Sequence, residues 1–284
     1  MGVDVSGLAI ERETAEAGTR DVLEGASRWT VKVHRHGFIA LLDVMPRLAP
    51  EGRTADYAIV QAARVSYGEG TKHVREDRGL IRYLMRHRHT SPFEMVELKF
   101  HCRLPIFVAR QWIRHRTASV NEVSGRYSVL ADQYYRPEVD LIRAQSAANR
   151  QGGEEPVSEM TARDFLAWLD DVEARHAAYR QLLERGLSRE LGRIGLPLSI
   201  YTEWYWKCDL HNVLHFLGLR LDRHAQREIR DYAVAMFALI QPVVPLACEA
   251  FVDYHLDAVT LSRQEVEAIR DGRPEPGSSS AGEM

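Results

Sequence analysis

The stretch VELKFHCRLPIFVARQWIRHR, residues 96–116, decides the architecture. In its first half Val96, Leu98, Phe100, Cys102 and Leu104 alternate with Glu97, Lys99, His101 and Arg103, the period-two pattern of a half-exposed strand. Pro105 ends the alternation. It fixes φ in the range a first helical turn needs, so Ile106, Phe107, Ala109, Trp112 and Ile113 read as the core-facing stripe of a helix. Gln111 and Arg114, three apart, share a face of that helix. A strand that hands over to a helix ending in Arg114-His115-Arg116 implies a mixed domain with a charged site at the helix end.

Further elements extend this outward. Phe38 to Val44 is an apolar run of strand length, and Asp56–Val65 and Asp77–Arg86 have helical spacing. Ser91-Pro92-Phe93-Glu94 reads as a capping box with proline at the first helical position. Helices are predicted near 161–185, 188–194, 209–219 and 223–240, after which Pro242 and Pro245 interrupt the pattern. The polar, glycine-containing segment 145–160 predicts a surface loop. Residues 1–28 read as an N-terminal extension, 29–262 as one catalytic domain, and 263–284 as a disordered C-terminal tail too poor in apolar groups to fold. The expected fold class is α/β (α+β): a small, mostly antiparallel sheet flanked by helices.

Composition bounds the function. The chain has 284 residues, 45% apolar and 27% charged, enough for one sizeable core. A net charge of −3 argues against a general nucleic-acid surface. No run reaches the length of a membrane span, and the N-terminus is too charged for a secretory segment. Cys102, Cys208 and Cys248 are odd in number, widely spaced and without a paired metal spacing, which fits a reduced cytoplasm.

Chemistry concentrates in RHRTASVNEVSGR, residues 114–126. Three adjacent side chains cannot share one face, so at least one of Arg114, His115 and Arg116 turns inward or toward a ligand. A polar, flexible run follows, with Thr117, Ser119, Asn121 and Glu122, and then Ser124-Gly125-Arg126, where glycine lets the backbone approach closely. Guanidinium forks match phosphate or a pyrimidine edge. The bland alternative is a solvated basic turn. Ser124 has no evident Ser-His-acid order around it. Farther on, Arg193 precedes a Gly-Leu-Pro turn and by spacing alone pairs with Glu190 or Glu203. Asp209 reads as the N-cap of the helix that begins at Leu210. His211 and His215, four apart, share a face of it, and Arg220 ends it before His224. Two imidazoles at this spacing can also ligate zinc, although no HExxH frame or thiolate ladder accompanies them.

RHR, seven residues, then Ser is the signature of the flavin-dependent thymidylate synthases, and Arg114–Ser124 resembles it residue for residue. PIFVARQWIRHR, GRYS, HTSPFEM (89–95), RIGLPLSIYTEWYW (193–206) and LHFLGLRLDRHAQREI (214–229) are similar in the same order, so the likeness covers most of residues 37–255. Met95 stands where many members carry His, and Asp209 where some carry Asn. The resemblance implies reductive methylation of dUMP to dTMP with bound FAD, NADPH and 5,10-methylenetetrahydrofolate, in a homotetramer with sites shared between subunits. It implies Arg220 as the catalytic residue, lying against the pyrimidine. Gln111, Trp112, Ile113, Arg114, Glu122, Val123, Ser124, Gly125, Arg126, Arg193 and Arg220 would hold dUMP. His89, Ser91, Arg114, His115, Arg116, Asn121, Glu122, Asp209, Leu210, His211, His215 and His224 would hold FAD. No GxGxxG fingerprint is present, so FAD must bind by another route.

Two rivals come from other classes. A non-enzymatic nucleotide- or nucleic-acid-binding protein would use the RHR cluster on phosphates, with steep salt dependence and no bound chromophore. A zinc hydrolase would be built on His211 and His215.

Overall fold

The alternation of residues 97–105 becomes the centre of a sheet in the computed structural model, which describes residues 2–14, 27–47, 49–65, 77–146 and 153–271. Its strands are β1 (Glu11–Thr14), β2 (Ser27–Val33), β3 (Gly37–Met45), β4 (Glu97–Pro105), β5 (Ser119–Glu122), β6 (Arg143–Gln145), β7 (Gly153–Pro156) and β8 (Tyr201–Asp209). Six of them form one sheet in the order β1-β2-β3-β4-β8-β5, every pairing antiparallel, while β6 and β7 pair separately. The helices are α1 (Asp56–Val65), α2 (Asp77–Arg86), α3 (Ile106–Trp112), α4 (Glu159–Glu184), α5 (Arg189–Gly192), α6 (Leu210–Arg220), α7 (Arg227–Ile240), α8 (Pro245–Phe251) and α9 (Arg263–Arg270). No described helix is long and apolar enough to cross a membrane.

The apolar residues of the strands form one face. Val31, Ile39, Cys102 and Trp204 lie in one cross-strand row and Leu41, Phe100 and Trp206 in the next. They join a single buried cluster with Ile59, Ile81, Phe216, Met236 and Phe251 from the helices. The opposite face keeps the half-exposed pattern at Glu97, Lys99 and Arg103 and departs from it at His101. Phe38, Tyr205 and Glu203 from the flanking strands cover His101, which is only 1% exposed. Its Nε2 lies 2.6 Å from Glu203 and its Nδ1 lies 3.4 Å from the Arg28 guanidinium. Arginine only donates, so Nδ1 accepts and Nε2 carries the proton toward Glu203. Tyr205 stacks on the ring at 4.8 Å.

Several local expectations are corrected. Ser91-Pro92-Phe93-Glu94 opens only a 3-10 turn, Phe93–Met95, with no side-chain cap: backbone Ser91 and Thr90 carbonyls take the donors instead. The supposed flexible run after Arg116 is β5, an edge strand on β8. Within 145–160, the ladder of β6 and β7 replaces part of the predicted loop, and residues 147–152 lie outside the described residues. Described residues of the N-terminal extension join the domain: β1 pairs with β2, and Val3, Val5 and Leu8 pack on the core, while residues 15–26 lie outside the described residues. The tail predicted to be disordered begins with α9, started by a Ser262–Glu265 capping box; residues 272–284 lie outside the described residues.

The packing that places the site centres on Trp112, the last residue of α3 and fully buried. Its indole stacks on Phe216 of α6 at 4.6 Å and meets Trp204, Trp206 and Tyr232 edge-on. Val108 and Ala109 are buried with it, whereas Ile113, just past the helix end, is exposed. Replacing Trp112 with Ala should cost about 3–5 kcal/mol, as for other large-to-small changes in a core. Denaturant titration reads this as a lower midpoint, and a loss under about 1 kcal/mol would show that the ring does not anchor α3.

Candidate active site

Two residues after Trp112, the RHR triplet leaves α3 in a turn and resolves its own crowding. His115 turns inward and is half-buried, while Arg114 and Arg116 remain exposed. Opposite them runs α6, whose first turn is fixed by Asp209: its carboxylate accepts from backbone Asn212 at 2.9 Å and from the Asn212 amide at 2.8 Å. Arg114, His115, Arg116 and Thr117 from one side and Asn212, His215, Leu219 and Arg220 from α6 enclose a cavity of about 410 Å3, with Trp206 and Cys208 completing its lining. The Cys208 thiol donates to the Thr117 carbonyl at 3.1 Å, tying β8 to the loop beyond the triplet. Burial pushes this thiol well above the ordinary range, so it is no nucleophile.

A second cavity, about 380 Å3, lies on the other side of α6 and shares His215 and Leu219 with the first. Its walls include Leu84, Phe93, Leu214, Gly218 and Phe251, and Arg88, His89, His211 and His255 also line it. Arg88 has φ of 56°. It occupies the left-handed position after α2 where glycine is usual, with the Arg88 amide bonded to Met85 O and the His89 amide to Leu84 O. That conformation costs roughly 1–2 kcal/mol for a non-glycine residue and brings Arg88 and His89 to the cavity.

Electrostatically the two cavities are one-sided. Three guanidinium groups line the first, and no carboxylate lines either. The Arg114 and Arg116 guanidinium groups make no hydrogen bond or ion pair with any described residue. Arg220 donates from Nε to His115 Nε2 at 3.1 Å. Since Nε2 accepts, the ring is neutral and its proton sits on Nδ1. Burial, then the Arg220 charge, then His215, push the His115 pKa down to about 4. Burial also lowers the Arg220 guanidinium from its usual value, although arginine stays charged. The His115 ring packs edge-on to Phe216 at 5.0 Å and His215 at 5.8 Å. Such a pocket suits a planar or phosphorylated anion.

A separate cation cluster forms around Ser124-Gly125-Arg126. The Arg126 amide donates to Ser124 Oγ at 3.3 Å, and the Arg126 guanidinium pairs with Glu190 at 3.0 Å. Arg193 donates instead to the Glu190 backbone carbonyl at 3.4 Å; Glu203 is taken by His101, so neither carboxylate pairs with it. Gly125 is buried against Arg193: a Cβ there would lie 3.2 Å from Arg193 Cδ. Arg126 and Arg189 line a cavity of about 490 Å3 that shares no residue with the other two.

The structure therefore gathers Arg114, His115, Arg116, His215 and Arg220 at one cavity, His89, His211 and His215 at its neighbour, and Gly125, Arg126 and Arg193 elsewhere. Other predicted residues line none of these cavities. Trp112 and Leu210 are fully buried supports, and Asp209 caps α6. Gln111 donates to Gln226, and His224 is exposed and bonded to Asp222. Asn121 and Glu122 lie on β5, where Glu122 accepts from Thr202 at 2.5 Å, and Val123 donates its amide to Glu203 O. Ser91 and Ile113 are exposed away from both cavities around α6. Sequence reasoning missed Arg88, Thr117, Asn212, Leu219 and His255. Helical spacing along 212, 215 and 219 is the signal that could have found two of them. Among the described residues no group of three His, Cys, Asp or Glu could hold a metal ion, so His211 and His215 lack the further ligand a zinc site needs.

Comparison with known proteins identifies what the chain is similar to. Residues 47–246 match the family described as thymidylate synthase complementing protein. A flavin-dependent thymidylate synthase of Dictyostelium discoideum is 63% identical over 96% of this chain and 92% of its own length. One from Thermus thermophilus is 55% identical over 85% of each chain. Among solved structures, a UMP/dUMP methylase from Streptomyces cacaoi, bound with 5-Br UMP, superposes with a TM-score of 0.68 at 33% identity, covering 79% of this chain and 97% of that one.

In the ligand-free protein, the His115 imidazole should stay neutral until the pH approaches about 4, against about 6.5 for an ordinary histidine. The sign follows from the depressed value. The contribution to stability is whole above about pH 6.5 and is lost as the pH falls toward 4, where the unfolded chain takes up a proton that the folded one refuses. NMR titration of the ring, assigned against His115→Gln, tests this; a midpoint near 6.5 would refute the Arg220 contact.

Proposed function

We propose that this chain, which belongs to the thymidylate synthase complementing protein family, carries out reductive methylation of dUMP to dTMP as a flavin-dependent thymidylate synthase. The observation that carries the reading is the pair of adjoining, carboxylate-free cavities on either side of α6, lined by the residues of the RHR signature and by His89, His211 and His215. They fit an FAD: one has apolar walls and an imidazole rim, the other three guanidinium groups, and His215 and Leu219 belong to both. Arg114, His115, Arg116 and His215 would hold the cofactor at one cavity, with His89 and His211 at the other. When bound, FAD supplies the hydride that completes the methyl group, with NADPH as its reductant and 5,10-methylenetetrahydrofolate as the one-carbon donor. The protein contributes position and charge.

In this reading Arg220 lies against the uracil ring. A guanidinium about 4 Å from a developing anion stabilises it by on the order of 4 kcal/mol at an effective dielectric of about 20. That favours loss of the N3 proton and makes C5 nucleophilic. Arg114 and Arg116, unpaired with any described carboxylate, add to the same field. Ser124, Gly125, Arg126 and Arg193 serve the deoxyuridylate phosphate. Because they stand apart from Arg220 within one protomer, dUMP would be held by two copies of the chain, in keeping with the expected homotetramer with shared sites. Exposed apolar side chains near this cluster, Ile194 at 75% and Tyr127 at 72%, support self-association.

Purified protein should carry flavin absorbance, lose it on adding NADPH, and form dTMP from dUMP and methylenetetrahydrofolate. Arg220→Ala should keep fold and flavin but lose most dTMP formation even at saturating dUMP; undiminished turnover would remove the residue from the chemistry. Arg126→Ala should weaken dUMP binding by about 1.5–3 kcal/mol, the worth of a charged hydrogen bond. Mixing Arg220→Ala with Arg126→Ala under conditions that allow subunit exchange, at dUMP too dilute to saturate the latter, should raise activity above the sum of the two variants, since some hybrid sites hold both arginines. Absence of any recovery would count against shared sites.

A further inference from the structure

We propose that His115 is a positioning residue that acts through Arg220: its neutral Nε2 holds the guanidinium by Nε and aims the two terminal nitrogens at the pyrimidine. The inference rests on the thymidylate synthase reading above and adds to it a role distinct from flavin contact. Arginine reaches its target on a flexible stem, so a guanidinium with no partner samples many rotamers. Here one of its five donors is committed at 3.1 Å to an acceptor on a different segment, 105 residues away in sequence. A carboxylate in that place would hold Arg220 equally well but would cancel the charge the substrate needs. A neutral imidazole is an acceptor that leaves the full positive charge in place.

The acceptor is itself fixed. His115 follows the buried Trp112 by three residues, and its ring is edge-on to Phe216 and His215 of α6. Phe216 lies one turn before Arg220 on that helix, so the residue that sets the ring also sets the arginine's base. The titratable groups facing His115 from α6 are Arg220 and His215, and its chain neighbours are Arg114 and Arg116. All are cations or imidazoles, so nothing there favours a protonated ring. The Nδ1 proton of the same tautomer remains available as a donor.

The experiment compares His115→Gln, whose amide oxygen restores an acceptor near the Nε2 position, with His115→Phe, which keeps a flat ring and removes the acceptor. Both are made alone and together with Arg220→Ala, and each holoenzyme is checked for flavin content and melting temperature. His115→Phe should lower kcat for dTMP formation roughly ten- to a hundredfold, as expected for one lost charged hydrogen bond. His115→Gln should recover to within about fivefold of the parent. In the Arg220→Ala background His115→Phe should cost nothing more, because the group it positions is gone. Equal losses in the Gln and Phe variants, or losses that simply add to that of Arg220→Ala, would overturn the assignment. If His115→Phe does not fold, the Gln variant and its double mutant still decide. The parent enzyme separates the two readings. A parent that makes no dTMP takes both down, whereas an active parent matched by an active His115→Phe removes only the positioning role.

Discussion

The stacking of Trp112 on Phe216 is the contact from which the rest of the site follows. It fixes the end of α3 against the middle of α6, two elements that approach from opposite directions in sequence. Once these rings are in register, His115 and Arg220 meet at hydrogen-bond distance and the triplet faces the helix across a cavity. Three tryptophans and a phenylalanine beneath a cluster of arginines provide a rigid apolar floor, so charged groups above it are held by packing and need no ion pairs. The antiparallel sheet does the complementary work, since β8 ends at Asp209 and that residue caps the helix carrying Arg220.

Holding several cations together without carboxylates is unfavourable in the free protein, and its surroundings distribute the cost. Arg114 and Arg116 stay in water, where repulsion is screened. The half-buried Arg220 is bonded to a neutral ring. His115 gives up its own charge, which removes what would otherwise be a further positive group within the cluster. The Arg88 backbone adds conformational strain at the neighbouring cavity. Unbalanced charge of this kind marks an anion site, because an anionic ligand relieves it, and strained backbone such as that of Arg88 collects at binding sites.

Much of this was legible in the chain. The alternation of 97–105, the proline that ends it and the helix after it were read from period alone, and so were the Asp209 cap and α6. What period could not show was coverage. His101 reads as a solvent-facing strand residue, yet Phe38, Tyr205 and Glu203 on the neighbouring strands cover it, and strand order is not local information. Ser91 had the letters of a cap but Pro92 began only a single tight turn, whereas Ser262-Arg263-Gln264-Glu265 carried the same letters in a tail set aside as unfolded and did form the box. Arg88 was invisible for a different reason. A left-handed C-terminal residue is signalled by glycine, and here arginine takes the position.

The site residues divide along the same line. Those named on α6 and the triplet came together because each lies on a regular element or directly after one, where spacing fixes direction. Asn121, Glu122 and Val123 are assigned to the ligands by the family resemblance, and within a protomer the edge strand carries them along β8. The Ser124–Arg126 turn continues that path to a different cavity, shared with the N-terminus of α5. One short motif thus supplies cations to two places in a protomer, with a strand as the spacer between them. Under the proposed reading that spacing has a purpose. A strand is stiff and holds the triplet apart from its own Ser-Gly-Arg turn, so in the proposed assembly a nucleotide contacting both would take them from two copies of the chain.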